Sequence, residues 1–389
     1  VESAVLYQYN PWWDGDYTFP DIIPRPKLDA SLKPFLNDKS VVFLSGLRRV
    51  GKTTQLKLLI KSLLADGVEP KHIFYISLDD YLLRQYSIIE IVQQYRGLQG
   101  ISNQTKVYLF LDEVTYKDDF RIQLKNLYDQ GYSKIFASSS SSSALKDTRG
   151  FLTGREQVVE VLPLDFSEYL LFKNITVKKS DPQLLKNHFE DYMQIGGMPE
   201  YVLNGNREYL TAFVEDILYK DIVAAHGIRN PALIKDFFML LMERVGKQVS
   251  INKLANILAI SPDTAKRYLH MFEETYLIYL VPRYGKTNET LLSAKKVYVA
   301  DLGIKNLFTG FRDKGAIFEN IVYMQIKNHK PGYIYENGIE LDFMTEDKIL
   351  IEVKYGKTLN EKQQQLFADT KAKEKIIVQS IADLEKLDF

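Results

Sequence analysis

Residues 41–53 run Val41-Val42-Phe43-Leu44-Ser45-Gly46-Leu47-Arg48-Arg49-Val50-Gly51-Lys52-Thr53, and this stretch decides the fold of what surrounds it. It opens on an apolar run of the kind buried in a parallel sheet. Gly46 to Thr53 then fit G-x-x-x-x-G-K-[ST], and a helical pattern over 53–65 follows. In that setting the loop amides cradle phosphate at a helix N-terminus. Lys52 is expected to neutralise the β and γ oxygens and the Thr53 hydroxyl to hold Mg²⁺. The expected nucleotide-binding set is Gly46, Arg48, Arg49, Val50, Gly51, Lys52, Thr53 and Thr54, completed by Ser138 farther along the chain.

Outward from the loop, apolar stretches at 73–76 and 107–111 and a further strand over 134–137 alternate with helical patterns, one of them over 120–130. The alternation predicts an α/β nucleotide-binding domain on a parallel sheet. The run 107–111 ends in Asp112-Glu113, carboxylates that a parallel sheet delivers to the edge where the loop lies. Asp112 is expected to hold Mg²⁺ through water and Glu113 to activate the attacking water. After the next strand comes the serine run 138–143, with Ser138 and Ser139 nearest the strand end and placed to sense a γ-phosphate, and 140–143 reading equally well as a solvated loop. Arg155, in Leu152-Thr153-Gly154-Arg155, reads either as a catalytic arginine for its own or a neighbouring subunit or as an ordinary surface residue. The first 35 residues, with Asn10-Pro11-Trp12-Trp13 and Ile23-Pro24-Arg25-Pro26, read as an extended arm and not a helix.

At 389 residues and 46% hydrophobic composition, the chain is long enough for two to three domains with packed cores. Lys+Arg and Asp+Glu are 50 each, so any contact with nucleic acid must come from a local basic surface. Zero cysteines exclude disulfides, thiolate zinc sites and cysteine nucleophiles, and the five histidines lack metal-pair spacing. No apolar run approaches the ~20 residues of a membrane span. Val1-Glu2-Ser3-Ala4 carries neither an initiator methionine nor a leader, which points to a cytoplasmic protein with a trimmed start and no membrane partner.

From 182 to 280 the pattern is helical, with apolar residues three and four apart in 233–241 and 254–260. There, a helix ending at Ile260 is followed by Ser261-Pro262 opening a second helix over 263–274. The pair resembles a winged helix-turn-helix, with Thr264, Lys266, Arg267 and His270 outward, Ala265, Leu269 and Phe272 inward, and 277–283 as the wing. Such modules bind DNA or dock a protein partner. The C-terminal part returns to strands at 296–300, 332–335, 341–345, 349–354 and 375–379, an α+β pattern. Within it Glu319, Asp342, Glu352 and Lys354 resemble the PD-(D/E)XK nuclease signature, with Leu341 where the signature's proline stands. Glu352 and Lys354, two apart on a strand, share a face, and a hairpin brings Asp342 beside them. The resemblance implies that Asp342 and Glu352, with Glu319, hold Mg²⁺ or Mn²⁺ while Lys354 serves the reacting phosphate.

The Gly46–Thr53 loop, Asp112-Glu113, Leu152-Thr153-Gly154-Arg155, Pro163-Leu164-Asp165-Phe166-Ser167-Glu168-Tyr169 and Gly196-Gly197-Met198-Pro199-Glu200 together resemble the prokaryotic AAA-type P-loop ATPase family with a C-terminal domain of uncharacterised function. Members usually show Thr-Gly-Ser where this chain has Ser138-Ser139-Ser140. The resemblance implies an ATPase domain over 1–180, a helical lid and winged helix over 181–290 and a nuclease-like domain over 291–389. The expected activity is ATP hydrolysis coupled to DNA binding and metal-dependent cleavage in DNA processing, repair or recombination, by a homo-oligomer. The alternative is an ATP-controlled switch or scaffold that binds DNA or protein without cutting.

Overall fold

The computed structural model describes residues 1–15, 17–142, 145, 152, 154–178 and 180–387. Ser143 and Thr153, in the serine run and the Leu-Thr-Gly-Arg segment, lie outside the described residues. The chain divides into two compact units, Val1–Leu162 and Pro163–Phe389.

The first unit is a five-stranded sheet of β1 (Val41–Ser45), β2 (Ile73–Ser77), β3 (Val107–Asp112), β4 (Ser133–Ser139) and β5 (Glu156–Glu160) in the order β2-β3-β4-β1-β5. All neighbours are parallel. β1 is buried along its whole length because helices cover both faces of such a sheet, which is why it appears in the sequence as an unbroken apolar run. β5 gives no such signal. As an edge strand it reads Glu-Gln-Val-Val-Glu and leaves Val158 51% exposed.

The N-terminal arm corrects the expectation of extended chain: it forms helices Ser3–Tyr9 and Pro26–Leu32 with a 3₁₀ turn Pro11–Asp14 between them. Proline at the first helical position needs no N–H, so Pro26 and Pro11 start turns here and do not forbid them. The arm covers the open edge of β2. Asn10 mimics a missing strand there, accepting from Tyr75 N at 2.6 Å and donating to Tyr75 O at 2.9 Å. Trp13 and Tyr95 stack at 5.5 Å and Tyr95 stacks on Phe74 at 4.5 Å, closing the layer.

The second unit begins with helices, among them Phe166–Phe172, Pro182–Ile195, Pro199–Asn204, Arg207–Asp216 and Pro231–Met242. It continues through β6 (Gln248–Val249), helices Ile251–Ile257 and Pro262–Glu274, β7 (Ile278–Val281) and β8 (Lys295–Val299), whose strands form an antiparallel sheet in the order β6-β8-β7. Helices Leu302–Thr309 and Lys314–Ile326 lead to a second sheet of β9 (Gly332–Glu336), β10 (Ile339–Met344), β11 (Ile349–Val353) and β12 (Glu374–Val378), ordered β12-β11-β10-β9. β11 and β12 pair in parallel across helix Glu361–Asp369, and the other pairs are antiparallel.

Two of the family-like motifs prove to be a structural clasp. A Cβ on Gly197 would stand 2.1 Å from Leu164 O, so only glycine permits that approach. The buried Asp301 carboxylate accepts from Gly197 N at 2.5 Å and Ile304 N at 3.0 Å, and also from the amides of Gly303 and Met198. Burial nonetheless lifts its carboxyl from 3.8 to about 6. The folded chain therefore favours the protonated form. That contribution, roughly 3 kcal/mol, is fully present below about pH 4 and is lost as pH rises through about 6. In urea unfolding between pH 4 and 7, wild type is expected to lose about that much stability relative to Asp301→Asn. A difference between the two that stays constant with pH would contradict it.

Candidate functional site

At the C-terminal edge of the first sheet, β1 runs directly into the glycine-rich loop. Gly46 lies at φ 134°, and a Cβ there would meet Val161 O at 2.3 Å, so the loop's first turn requires glycine. Lys52 opens helix Lys52–Ala65 and is buried, its ammonium donating to Gly46 O and Leu47 O, both at 2.9 Å. It thus folds back over the loop that would cradle phosphate, and a bound nucleotide offers it anionic oxygens in place of two neutral carbonyls. Arg48, Arg49, Val50 and Gly51 complete the loop, and Thr53 and Thr54 lie in the first turn of that helix.

Asp112, at the end of β3, meets the loop: Thr53 Oγ1 donates to Asp112 Oδ2 at 2.6 Å. Tyr75 OH donates to the same oxygen at 2.9 Å and Ser138 Oγ to Oδ1, so three hydroxyls fix one carboxylate. A hydroxyl and a carboxylate facing each other are a hard-oxygen donor set suited to Mg²⁺, and Thr53 and Asp112 are the residues that would hold it. Bound there, Mg²⁺ would supply charge neutralisation to phosphate oxygens. Glu113 has a left-handed backbone at φ 52° and is tethered twice, its N–H to Ser138 Oγ at 2.9 Å and its Oε2 to Ser140 Oγ at 3.2 Å. Burial raises the Glu113 carboxyl above the ordinary range, opposed by the charge of Lys52. Ser138, wholly buried, thus ties the Asp112 carboxylate to the Glu113 backbone, and Ser140 is the serine that reaches the Glu113 carboxylate.

Arg155 lies elsewhere. Its carbonyl accepts from Val41 N, at the start of β1, and the loop begins beyond the five residues of that strand, about 16 Å away at about 3.3 Å per residue. Arg155 is paired with Asp129 at 3.0 Å and lies over the Tyr128 ring. It lies at the opposite end of β1 from the loop of its own chain, 40% exposed and paired with Asp129, as an ordinary surface arginine would be.

In the second unit, helix Pro262–Glu274 starts at Ser261, whose Oγ accepts from Thr264 N at 3.1 Å. Ala265, Leu269 and Phe272 are buried, while Lys266, Arg267 and His270 are exposed and Thr264 is half-buried. His270 sits between Glu273 and Glu274, at 3.7 and 3.3 Å, so Lys266 and Arg267 carry the positive end of this face.

The four C-terminal candidates converge. Asp342 N donates to Glu352 Oε2 at 3.0 Å and Val353 N to Asp342 Oδ2 at 2.9 Å. Lys354 Nζ stands 2.7 Å from Glu352 Oε1, 3.3 Å from Val353 O and 3.9 Å from Asp342 Oδ2. Its ammonium thus lies in a cradle of three oxygens. Asp342 and Glu352, with the Val353 carbonyl, are the hard-oxygen donors that would hold a divalent ion if that 21% exposed side chain turned aside. Such an ion would supply Lewis-acid stabilisation of phosphate charge. Among the described residues no group of three or more acidic or histidine side chains is arranged to hold a metal, and this cradle draws its third oxygen from the backbone. Glu319 does not join that cradle and is bound instead to Lys296 Nζ and to Tyr298 OH, each at 2.6 Å. Burial, reinforced by the charge of Asp342, raises both Glu319 and Glu352 above the ordinary carboxylate range. Gln363 also turns inward, its Nε2 3.5 Å from Glu352 Oε1. Lys296, Tyr298 and Glu340 stand outside the set that the sequence patterns single out. The available signal was Lys296 itself, a lysine sharing one face of β8 with Tyr298 while Val297 and Val299 alternate on the other.

Residues 38–170 match the AAA domain family and residues 186–315 a domain of unknown function (DUF8612). Among solved structures, the Thermotoga maritima RuvB Holliday junction branch migration motor is 15% identical with a TM-score of 0.35, covering 67% of this chain and 90% of its own. AMPPCP-bound DnaA from Aquifex aeolicus is 18% identical with a TM-score of 0.30, covering 68% and 92%. Both likenesses are too remote to inform substrate or assembly. Among the described residues no helix is long and apolar enough to cross a membrane. An uncharacterized protein of Haemophilus influenzae is 25% identical over 85% of this chain and 86% of that protein. Uncharacterized protein MJ1544 of Methanocaldococcus jannaschii is 31% identical over 88% of this chain and 80% of that protein. With its phosphate loop, Asp112-Glu113 pair and AAA domain match, the first unit is a P-loop AAA-type ATPase domain, and the chain belongs to the family of MJ1544.

Proposed function

We propose that the protein is an ATP-hydrolysing, DNA-processing enzyme in which the AAA domain governs a winged helix and a metal-dependent nuclease centre, with 1–180, 181–290 and 291–389 as the functional segments. The observation that carries the nuclease is the convergence of Asp342, Glu352 and Lys354 on one cradle, with Lys354 Nζ 2.7 Å from Glu352 and 3.9 Å from Asp342. Lys354 is then a mobile cation that yields its place to the metal and turns to the reacting phosphate. The winged helix supplies DNA contact through Lys266 and Arg267, exposed on a helix whose other face is core. The subunits assemble as a homo-oligomer in which Arg155 serves the neighbouring nucleotide.

A second reading, an ATP-controlled switch or scaffold that binds DNA or protein without cutting, is favoured by the buried Lys296 ammonium lying 3.4 Å from Asp342. Cleavage assays with Mg²⁺ or Mn²⁺ on linear, forked and four-way junction DNA separate the two. DNA binding should be salt-sensitive, and reversing the charge at Lys266 and Arg267 together should weaken it at least tenfold and lower the salt slope by about two, one per phosphate contact. Unchanged affinity and slope in that double variant would reassign the winged helix to protein docking.

A further inference from the structure

Period-two alternation brings three residue pairs to one place: Lys296 and Tyr298 on β8, Glu340 and Asp342 on β10, Glu352 and Lys354 at the end of β11. Helix Lys314–Ile326 adds Glu319. The cluster holds four carboxylates and two ammoniums, and the two ammoniums differ in kind. Lys354 is partly exposed at the mouth, whereas the Lys296 side chain has no exposure at all.

An ammonium has three N–H donors. Lys296 Nζ donates to Glu319 Oε1 at 2.6 Å and Asp342 Oδ1 at 3.4 Å and is paired with Glu340 Oε1 at 2.8 Å, so three carboxylates surround it. Enclosed without solvent exposure among three carboxylates, two of them within 2.8 Å, it is a cation fixed in place by its counter-charges. Tyr298 OH, 2.6 Å from Glu319 Oε1, holds that carboxylate toward Lys296, and the Tyr298 and Phe343 rings lie under the ammonium, each centroid 5.9 Å away. A second divalent ion bridging Glu319 and Asp342 would have to occupy the space that Lys296 fills.

We propose that Lys296 is the built-in second cation of this centre. The centre therefore takes one divalent ion, at Asp342, Glu352 and the Val353 carbonyl, and Glu319 is a positioning residue that acts on Asp342 through Lys296 and not a metal ligand. The proposal deepens the nuclease reading and rests on it. Asp342 gains a defined orientation from the arrangement, one oxygen committed inward to Lys296 and the other turned toward the cradle at the mouth.

The test is a count of Mn²⁺ bound to the full-length chain without nucleotide, by equilibrium dialysis with electron paramagnetic resonance, taken as the difference from Asp342→Asn so that ions elsewhere cancel. Wild type should bind one Mn²⁺ by this difference. Glu319→Gln should keep it with less than a tenfold change in dissociation constant, and Glu352→Gln should weaken it more than a hundredfold. Lys296→Met, with the ammonium gone, should admit a second Mn²⁺ close enough to couple magnetically to the first. Two ions in wild type, none in wild type, or loss of the ion in Glu319→Gln each overturn the proposal, as does a folded Lys296→Met chain that gains no ion. If Lys296→Met does not fold, the wild-type and Glu319→Gln counts still decide. One bound Mn²⁺ without DNA cleavage would sink the nuclease reading and leave the ion count standing, whereas cleavage with two ions would sink only the count.

Discussion

Lys52→Ala and Glu113→Gln are both expected to abolish ATP hydrolysis, but only Glu113→Gln should still bind ATP. Lys52 donates to carbonyls of its own loop, at the place where phosphate oxygens would lie, so its charge counts in the ground state and its loss removes affinity. Glu113, on a left-handed backbone and held by Ser140 at 3.2 Å, is a carboxylate that would accept a proton from an attacking water and would not be needed to hold phosphate. Loss of a general base typically costs about 10²–10⁴-fold in rate. The isosteric glutamine preserves the Ser140 contact, so the difference between the variants should appear as binding and not as misfolding. Equilibrium binding of a fluorescent ATP analogue beside steady-state turnover makes the check. Near wild-type turnover in Glu113→Gln would remove Glu113 from the catalytic role.

The second large effect belongs to the C-terminal centre. Asp342→Ala and Lys354→Ala are each expected to lose DNA cleavage while ATP turnover persists, because the two sites lie on separate sheets in separate units. The two variants should differ in metal binding. Asp342→Ala removes a carboxylate from the cradle and leaves Lys296 with one partner fewer, so Mn²⁺ affinity should fall and stability should drop by roughly 3 kcal/mol, as when a buried pair is broken. Lys354→Ala removes only the cation at the mouth. It should bind Mn²⁺ as well as wild type or better, bind DNA, and fail in the chemical step, as expected for a group acting mainly on transition-state charge. Cleavage by Lys354→Ala at the wild-type rate would show that the lysine is a counter-ion and nothing more.

What the sequence made legible follows from how strongly each segment constrains its neighbours. β1 to β3 were readable as apolar runs because strands buried on both faces carry them, β4 kept only the short apolar segment Ile135-Phe136-Ala137, and the loop between β1 and its helix admits few alternatives once Gly46 must clear Val161 O by lacking a Cβ. β5 was not, since an edge strand with Val158 half exposed carries no such pattern. The N-terminal arm misled because proline and tryptophan density suggests extended chain, whereas Pro11 begins a turn packed on β2 and Pro26 a helix tied to Gln55 beyond the loop, both tertiary facts. Asp342, Glu352 and Lys354 could be paired from strand periodicity alone. Lys296 could not: its partners Glu319, Glu340 and Asp342 lie 23 to 46 positions away, and only the folded sheets bring them within 3.4 Å. The Gly196-Gly197-Met198 motif likewise stands out in the sequence, but its reason, the Asp301 carboxylate receiving its amides, is 104 residues distant.

The claim that this chain couples an ATPase to a DNA-cutting centre is tested most directly by incubating the wild-type protein with ATP, Mg²⁺ or Mn²⁺, and labelled linear, forked and four-way junction DNA, while ATP turnover is followed in the same reactions. The expected result is divalent-dependent cleavage of at least one substrate that disappears in Asp342→Ala while turnover continues. A wild-type protein that hydrolyses ATP and binds these DNAs, yet cuts none of them with either metal, would contradict it.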